Sequence, residues 1–524
     1  MPVSFRVPTP YDAAVTDETI EFEVDGESVQ VPDDGASLLG TLRDRLGKHS
    51  AKDGCSPQGQ CGCCTVLVDG QPRVACVTPT RRVRGRSVVT LEGLPEPDRV
   101  RWADAFTATG ASQCGFCTPG IIVRLAGLDA KKPDAGDGDV DKALAAHLCR
   151  CTGWQTIREA WHIRHEPPSR PIEPDAAATR AELEGHATQR VEPGIALGEG
   201  GFADDTAPEG ALVAVRDVHG QWIVADTLHD ARTAAGKIQG RRTTLDPRYP
   251  LEVPAGDWAA TLQTTWTEPA YLETDAAWAN PGEPAVSPLA NGGAFGAKLS
   301  SPVGAIAERL AIEHERPVRV LFSREDAVRL GPKRPPVAGG MRPDGSGILR
   351  VVATPGVDEA IHSVAPDVVV EHVDVPDELT TSASIRGAGW IEAHCLQAMA
   401  RGEAGRVHRP SGSWAEAHLD DGVVHVLVGA GDPLDATVLR SYCIGAAHMA
   451  TSLVRGEALT VDADGRVQDL TIRSFGVLRA ADMPQVDVHI ADEDGPPVNG
   501  SDAVFAAVAA ATCVHLGASR WPTG

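Results

Sequence analysis

Four of the twelve cysteines in this 524-residue chain lie within ten consecutive positions, CSPQGQCGCC, residues 55–64. A disulfide explains this cluster poorly, because adjacent cysteines such as Cys63 and Cys64 rarely pair and so tight a turn offers few partners at disulfide geometry. Metal ligation is the better interpretation, since thiolates crowded on a glycine-containing loop suit iron or zinc. The loop therefore predicts a metal centre.

Eight cysteines form two sets with ligand-like spacing: Cys55, Cys61, Cys64 and Cys76 in the first set, and Cys114, Cys117, Cys149 and Cys151 in the second. Plant-type ferredoxins place four residues in the first gap, two in the second, and a further cysteine at a distance. Here the first gap has five residues and the rest fits, with Cys63 as an extra thiol expected to point away from the iron. Zinc is the alternative, because paired C-x2-C motifs often hold it. The single residue between Cys149 and Cys151 favours two [2Fe–2S] clusters instead.

Two hairpins and a helix are predicted around the first set. Residues 20–31 and 65–77 alternate apolar and polar positions on both sides of an Asp-Gly pair, a strong hairpin signal. Between them, SLLGTLRDRLG has leucines at helical spacing, with Ser37 as a plausible N-cap and Gly47 as the end. We expect a small mixed sheet with one helix across it, in the manner of [2Fe–2S] ferredoxins.

Short helices are predicted around the second set, from about residue 100 to residue 161. Thr118 is the expected N-cap of one of them, with Pro119 at the first helical position. The four cysteines fall at helix boundaries, where backbone N–H groups can face an anionic cluster. His147, two residues before Cys149, is expected on a helix surface, with tuning of the second cluster as the alternative.

Composition limits the classes of function. The formal net charge of −24 argues against a nucleic-acid partner and otherwise indicates solubility. No apolar run approaches the roughly 20 residues of a membrane helix, and the N-terminus does not read as a secretory signal. We therefore expect no membrane partner and a cytoplasmic location. The stretch 165–190, rich in proline, alanine and charge, predicts a linker.

The strings CGCCTVLVDG, QCGFCTPGII and HLCRCTGWQTI resemble the iron–sulfur module of the xanthine oxidase/aldehyde oxidase family of molybdenum hydroxylases, over residues 20–160. The resemblance implies an α+β chain with a β-grasp, ferredoxin-like [2Fe–2S] domain (1–96), a four-helix [2Fe–2S] domain (97–164), the linker (165–190) and a shortened molybdopterin-binding α+β portion (191–524). It also implies that Gln113 lies near the pterin, and that electrons pass from molybdenum through the Cys114 set to the Cys55 set.

The C-terminal portion carries further points of resemblance. NGGAFGAK matches the family's glycine-rich cofactor loop at Gly292, Gly293, Phe295 and Gly296, although a plain tight turn is the alternative. IRGAGW resembles the Arg-Gly-x-Gly loop beside the cofactor, which implies cofactor-binding roles for Arg386 and Gly387, while an ordinary surface ion pair also explains the arginine.

The catalytic carboxylate of the family is missing at its expected place. In VNGSDAVFAAVAAA, Ser501 stands where the family has glutamate. A hydroxylase needs a base to deprotonate the metal-bound oxygen, and serine cannot act as one. Asp502 is either that base or a helix cap, and the sequence favours the cap. The catalytic residue is therefore unknown from the sequence.

The resemblance implies a subunit that binds two [2Fe–2S] clusters and molybdopterin, oxidises an aldehyde or N-heterocycle with water, and passes electrons to a flavoprotein partner that holds FAD. The alternative is a noncatalytic electron-transfer and scaffold subunit that has lost the metal, with catalysis on a second molybdopterin-binding chain. A zinc-stabilised interaction module is a third interpretation. Cys395, Cys443 and Cys513 are expected to be core thiols.

Overall fold

The computed structural model of the chain describes residues 18–168, 172–236, 245–287, 296–298, 301–374 and 379–523. The first five strands are β1 (Thr19–Val24), β2 (Glu27–Pro32), β3 (Thr65–Val68), β4 (Gln71–Val74) and β5 (Ser87–Val89). They form one mixed sheet in the order β2-β1-β5-β3-β4.

Both predicted hairpins are present in this sheet. β1 pairs antiparallel with β2, and β3 with β4. The turn residues Asp25-Gly26 and Asp69-Gly70 all have positive φ, as the type I′ turn that matches strand twist requires. The helix predicted over residues 37–47 is shorter: Ser37 caps one α-helical turn, α1 (Leu38–Gly40), and a π-helical turn follows.

Four helices lie between residues 96 and 163: α2 (Glu96–Thr109), α3 (Thr118–Asp129), α4 (Asp137–Leu144) and α5 (Gln155–Ile163). They enclose an aromatic core in which the ring centroids of Trp102 and Trp161 lie 6.1 Å apart. Cys117 rather than Thr118 occupies the N-cap position of α3, because the helix begins one residue earlier than predicted.

The linker predicted over residues 165–190 requires correction. It contains a helix, α6 (Pro174–Gly185), whose Arg180 and Glu184 are buried and form an ion pair of 2.9 Å. Arg180 also donates hydrogen bonds to the carbonyl oxygens of Pro433 and Val498. The sequence suggests a solvated linker here, but these charged side chains are buried against the C-terminal portion.

The C-terminal portion mixes helices and strands. Its helices are α7 (Pro193–Ala196), α8 (Ala203–Thr206), α9 (Leu228–Ala235), α10 (Val303–His314), α11 (Arg324–Leu330), α12 (Val357–His362), α13 (Trp390–Arg401), α14 (Ala436–Arg455) and α15 (Ser501–Leu516). Its strands are β6 (Leu212–Arg216), β7 (Trp222–Ala225), β8 (Ala260–Thr264), β9 (Ala276–Ala279), β10 (Val318–Leu321), β11 (Val337–Met341), β12 (Gly347–Val352), β13 (Val368–Val373), β14 (Arg406–His408), β15 (Trp414–Asp420), β16 (Val423–Gly429), β17 (Gln485–Ile490) and β18 (Arg520–Trp521).

Within the described residues these strands form three sheets, with orders β7-β6-β10-β9, β13-β12-β11-β8-β18 and β14-β15-β16-β17. The apolar core of this portion lies around α14 and α15, which pack on each other and are buried along most of their length. α15 also packs on α13 and β15. None of the helices described here is long and apolar enough to cross a lipid bilayer.

Candidate iron–sulfur and cofactor site

The second cysteine set lies at the ends of α3 and α5 as two pairs of thiols. The Sγ atoms of Cys114 and Cys151 are 3.8 Å apart, and Cys117 contacts Cys149 through a hydrogen bond between the thiols. Hydrogen bonds from Cys117 and Thr152 lower the pKa of Cys149 to about 6, although burial acts in the opposite direction. Two sulfur pairs, one with a stabilised thiolate, supply the two ligands that each iron of a [2Fe–2S] cluster needs.

The first set lies on the loop before β3 and on the first of two 3-10 turns after β4. Cys55 contacts Cys61 and Cys76, and Cys76 contacts Cys64. Hydrogen bonds from Cys61 and Cys76, together with the backbone N–H groups of Gln60 and Gln58, hold the pKa of Cys55 well below its usual value. Cys76 follows the strand rather than lying in it.

The thiols of the second set approach one another as two pairs, whereas in the first set Cys76 contacts both Cys55 and Cys64. Among the residues with assigned positions, no group of three or more His, Cys, Asp or Glu side chains has the arrangement of a site for one metal ion. A cluster with two irons and two thiolates on each iron is the chemistry that paired sulfurs fit.

Two residues near the clusters lie elsewhere than predicted. Cys63 does not point away from the first set, because its buried thiol forms a hydrogen bond with the thiol of Cys61. His147 is buried rather than exposed: its Nε2 lies 3.1 Å from the Thr65 hydroxyl and its ring packs on Gly62. Burial lowers the pKa of His147 to about 3, so the ring is neutral at physiological pH.

Gln113 connects the second cysteine set to the C-terminal portion. Its Nε2 donates to the carbonyl oxygen of Cys151 at 3.1 Å and to the Ser441 hydroxyl at 3.0 Å. Its Oε1 is buried and finds no hydrogen-bond partner among the described residues. An orphaned acceptor beside the cysteines fits the amino group of a pterin, because a buried polar atom without a partner is costly.

Gly445 on α14 lies directly against the second set. A Cβ at this position would overlap the carbonyl oxygen of Cys151. The absence of a side chain is therefore what lets α14 approach the loop that carries Cys151. Any residue other than glycine would push the helix and the loop apart.

A cavity of about 480 Å³ is bordered by Tyr442, Ala446 and Met449 of α14. The residues that line it include Gly296, Arg386, Gly387, Tyr442, Ser501 and Asp502. The structure thus brings together three of the predicted cofactor-loop residues and the two residues at the position of the missing glutamate. Gly292, Gly293 and Phe295 lie outside the described residues.

Two loop residues in the cavity wall have the left-handed backbone that the sequence pattern requires. Gly296 has φ of 95°, and a Cβ there would overlap the carbonyl oxygen of Ser384. Arg386 has φ of 48°, a strained value for a residue with a side chain. Its guanidinium is buried and paired with Glu457, so a surface ion pair is excluded.

Asp502 faces the cavity and does not cap α15. Its carboxylate lies 3.3 Å from Nε2 of His186, and the hydrogen bond between them raises the pKa of that imidazole. The backbone N–H of Asp502 is satisfied by the Asn499 side chain at 2.9 Å. His186 was not found from the sequence, because it lies in the segment that reads as a linker.

Comparisons with known proteins place these features in a family. A family model described as [2Fe-2S] binding domain matches residues 90–162. The nicotinate dehydrogenase small FeS subunit of Eubacterium barkeri is 38% identical over 144 residues, 27% of this chain and 91% of that protein. The isoquinoline 1-oxidoreductase subunit alpha of Brevundimonas diminuta is 38% identical over 146 residues, again 27% of this chain and 95% of that protein.

The chain belongs to the xanthine oxidase/aldehyde oxidase family of molybdenum hydroxylases. The family predicted from the cysteine strings is therefore confirmed. The likeness extends beyond the iron–sulfur module: the solved aldehyde oxidoreductase from Desulfovibrio gigas matches this molybdenum hydroxylase chain with a TM-score of 0.69 and 14% identity, covering 96% of this chain and 99% of that chain. At that identity the match shows a shared fold.

Proposed function

We propose that this chain is the iron–sulfur and molybdopterin subunit of a molybdenum hydroxylase or dehydrogenase complex, which oxidises an aldehyde or an N-heterocycle with water. The observation that carries the proposal is that one helix, α14, contributes residues to both candidate sites. Gly445 on this helix touches the cluster loop at Cys151, while Tyr442 and Met449 line the cavity. A cofactor in the cavity would thus lie against the same helix that touches the second cysteine set.

In this proposal the eight predicted cysteines hold two [2Fe–2S] clusters, with the domain boundaries given above. Gln113, which lines a smaller pocket that shares Tyr442 with the cavity, would offer its Oε1 to the pterin, and Gly296, Arg386 and Gly387 would hold the cofactor from the cavity wall. When bound, the molybdenum cofactor supplies the two-electron oxidation that amino-acid side chains cannot perform. The missing Cβ of Gly296 lets this loop pack on the carbonyl oxygen of Ser384, which fixes the part of the cavity wall next to Arg386.

Asp502 is the candidate proton acceptor of this reaction. Ser501 cannot take a proton at neutral pH, whereas the Asp502 carboxylate faces the cavity and is partnered by His186. The histidine orients the carboxylate and supplies a compensating positive charge when it is protonated. Glu184 is close to Ser501 but does not line the cavity. Its carboxylate accepts hydrogen bonds from the backbone N–H groups of Gly500 and Ser501.

The electron route in the proposal runs from the Cys114 set to the Cys55 set and then to a flavoprotein partner that holds FAD. The two relatives reported above are named as a small FeS subunit and as a subunit alpha, which supports an assembly of several chains. A cytoplasmic location, a small-molecule substrate, a shortened molybdopterin-binding portion and a second molybdopterin-binding chain belong to the same proposal.

Ser501 favours a second candidate function. A chain without the family's glutamate fits a scaffold that carries electrons for a catalytic partner. Metal analysis of the protein, co-purified with the products of neighbouring genes, decides between the two. Iron with molybdenum and a paramagnetic signal after dithionite supports the first function; iron with no molybdenum selects the scaffold. Zinc in place of iron overturns both.

A further inference from the structure

A buried ionic bridge joins the cavity to the second cysteine set. Arg386 Nη1 and Arg150 Nη2 both donate to Glu457 Oε2, at 2.6 and 2.7 Å. Both guanidinium groups also donate to the carbonyl oxygen of Pro269, at 2.5 and 3.2 Å. The two arginines therefore share one carboxylate oxygen and one carbonyl oxygen, and neither can move without disturbing the other.

Each end of the bridge lies at a functional element. Arg150 is the single residue between Cys149 and Cys151, and Arg386 forms part of the cavity wall. Glu457 follows the C-terminus of α14 by two residues. Glu457 is thus the one side chain that connects Arg386 in the cavity wall to Arg150 in the cysteine loop.

The bridge carries a net positive charge in the interior of the protein. Its side chains are 2%, 0% and 1% exposed for Arg150, Glu457 and Arg386. Two guanidinium groups face one carboxylate, and His448 adds no charge because burial lowers its pKa to about 4. Arg386 Nε, Arg150 Nη1 and Glu457 Oε1 have no hydrogen-bond partner within the described parts of the chain. Such a charge acts strongly on its surroundings, since the local dielectric is low.

We propose that Glu457 is a positioning residue that sets the redox potential of the second cluster. It holds Arg150 between two of the cluster's ligands and offsets part of the positive charge that stabilises the reduced cluster. Reduction adds negative charge, so a more positive neighbourhood raises the potential and a less positive one lowers it. The inference rests on the iron–sulfur part of the proposed function and not on molybdenum in the cavity.

Two substitutions test the bridge by moving its charge in opposite directions. The potentials of both clusters are measured by electron paramagnetic resonance on poised samples of the full chain, and Cys117→Ser identifies the second cluster as the signal that it abolishes. Glu457→Gln is expected to raise the potential of the second cluster, and Arg386→Gln to lower it. The first cluster is an internal reference in each sample, and Glu416→Gln, at an exposed pair with Arg406, is the matched control.

Opposite shifts confined to the second cluster support the proposal, because general loosening of the fold would move both variants in the same direction. Shifts of the same sign, equal shifts in both clusters, or no shift overturn it. If Glu457→Gln does not fold, Arg386→Gln decides alone, since it leaves the Arg150–Glu457 pair in place: an unchanged potential refutes the inference. A chain with clusters but no molybdenum would contradict the proposed hydroxylase function and leave this test intact.

Discussion

The carboxylate of Glu184 accepts a hydrogen bond of 2.7 Å from the backbone N–H of Ser501, at the first turn of α15. The N–H of Gly500 donates to the same carboxylate, and Arg180 pairs with it from one turn away on α6. A carboxylate at a helix N-terminus satisfies otherwise unpaired N–H groups and complements the helix dipole. α6 therefore fixes the end of α15 that borders the cavity.

We expect Glu184→Ala to lower the free energy of unfolding by about 3–5 kcal/mol, because it leaves Arg180 buried without its counter-charge. The midpoint of urea unfolding, followed by tryptophan fluorescence, measures the change. Glu313→Ala is the control: it breaks the same i,i+4 Glu–Arg spacing on α10, where both side chains are more than half exposed. That variant should lose less than about 0.5 kcal/mol. Equal losses in the two variants would show that burial of the α6 pair is unimportant.

Asp502→Asn should reduce turnover by about 10²-fold to 10⁴-fold, since the amide cannot accept the proton that the carboxylate takes. The iron content should stay at the wild-type value, because the side chain contacts neither cysteine set. Asp494→Asn, in the loop before α15, removes an exposed carboxylate that does not line the cavity and should leave turnover unchanged. Full activity of Asp502→Asn would remove this carboxylate from the reaction.

Gly445→Ala is expected to destabilise the junction between α14 and the second cluster. The added Cβ overlaps the backbone of Cys151, which cannot move without displacing a ligand. We expect the loss of about half of the iron and a destabilisation of about 1–3 kcal/mol from overpacking.

The matched control for this substitution is Gly138→Ala in α4, where an added Cβ meets no atom within 4 Å. There alanine should be neutral or slightly stabilising, by up to about 1 kcal/mol, because it lowers the entropy of the unfolded chain. Iron retention in Gly445→Ala would mean that the cluster loop tolerates a displaced helix.

Arg473→Ala should loosen the loop that holds the first cluster. Its Nε donates to the carbonyl oxygen of Gln60 at 2.8 Å, and its Nη2 to that of Ala145 at 3.0 Å, so one side chain ties two segments of the iron–sulfur module together. Losing these bonds costs about 1–2 kcal/mol locally. A chelator should then remove iron from the first cluster several times faster, while Arg466→Ala, at an exposed arginine, leaves the rate unchanged. Identical rates in both variants would refute the tie.

Because of Glu273, we expect the folded protein to become less stable as the pH rises. Burial raises its pKa to about 7, although the ammonium of Lys298, 2.8 Å away, acts in the opposite direction. A carboxyl group whose folded pKa lies above its unfolded value near 4.3 binds more protons in the folded state. The stabilisation is complete below about pH 4 and disappears as the pH passes 7, a change of about 3 kcal/mol.

The pH dependence of urea unfolding between pH 4 and pH 8 checks this expectation. Glu273→Gln should flatten the curve by that amount, whereas Glu283→Gln, in an exposed turn, should reproduce the wild-type curve. Parallel curves for wild type and Glu273→Gln would contradict a raised pKa at this carboxyl.

The local features of the iron–sulfur module could be predicted from the sequence because they depend on neighbouring residues. The Asp25-Gly26 and Asp69-Gly70 turns and the Ser37 cap are short-range patterns with few alternatives, and the structure confirms all three. The family follows from the cysteine strings for the same reason, since ligand spacing is written directly in the chain.

Features that depend on contacts between distant segments were missed. His147 reads as a surface residue until the loop at Gly62 packs on its ring, and Glu184 reads as solvated until the end of α15 meets it. The linker prediction was wrong for this reason. A segment rich in proline and charge looks the same in the sequence whether its charges are solvated, as in a linker, or neutralised by distant residues, as in α6. No local pattern marks His186 as a residue of the cavity wall.

The loop of the second cysteine set packs directly on the C-terminal portion: Arg150 contacts Glu457, Cys151 contacts Gly445, and Gly153 contacts Ile444. These contacts bear on the order in which the metal is inserted and the two parts of the chain come together. The cysteines of the second set are at most 8% exposed once the C-terminal portion covers them. If the second set holds a cluster as proposed, we expect iron and sulfide to reach the helical domain while it is still uncovered, and chains that close too early to stay empty. We expect cellular assembly factors to act on the chain before α14 docks.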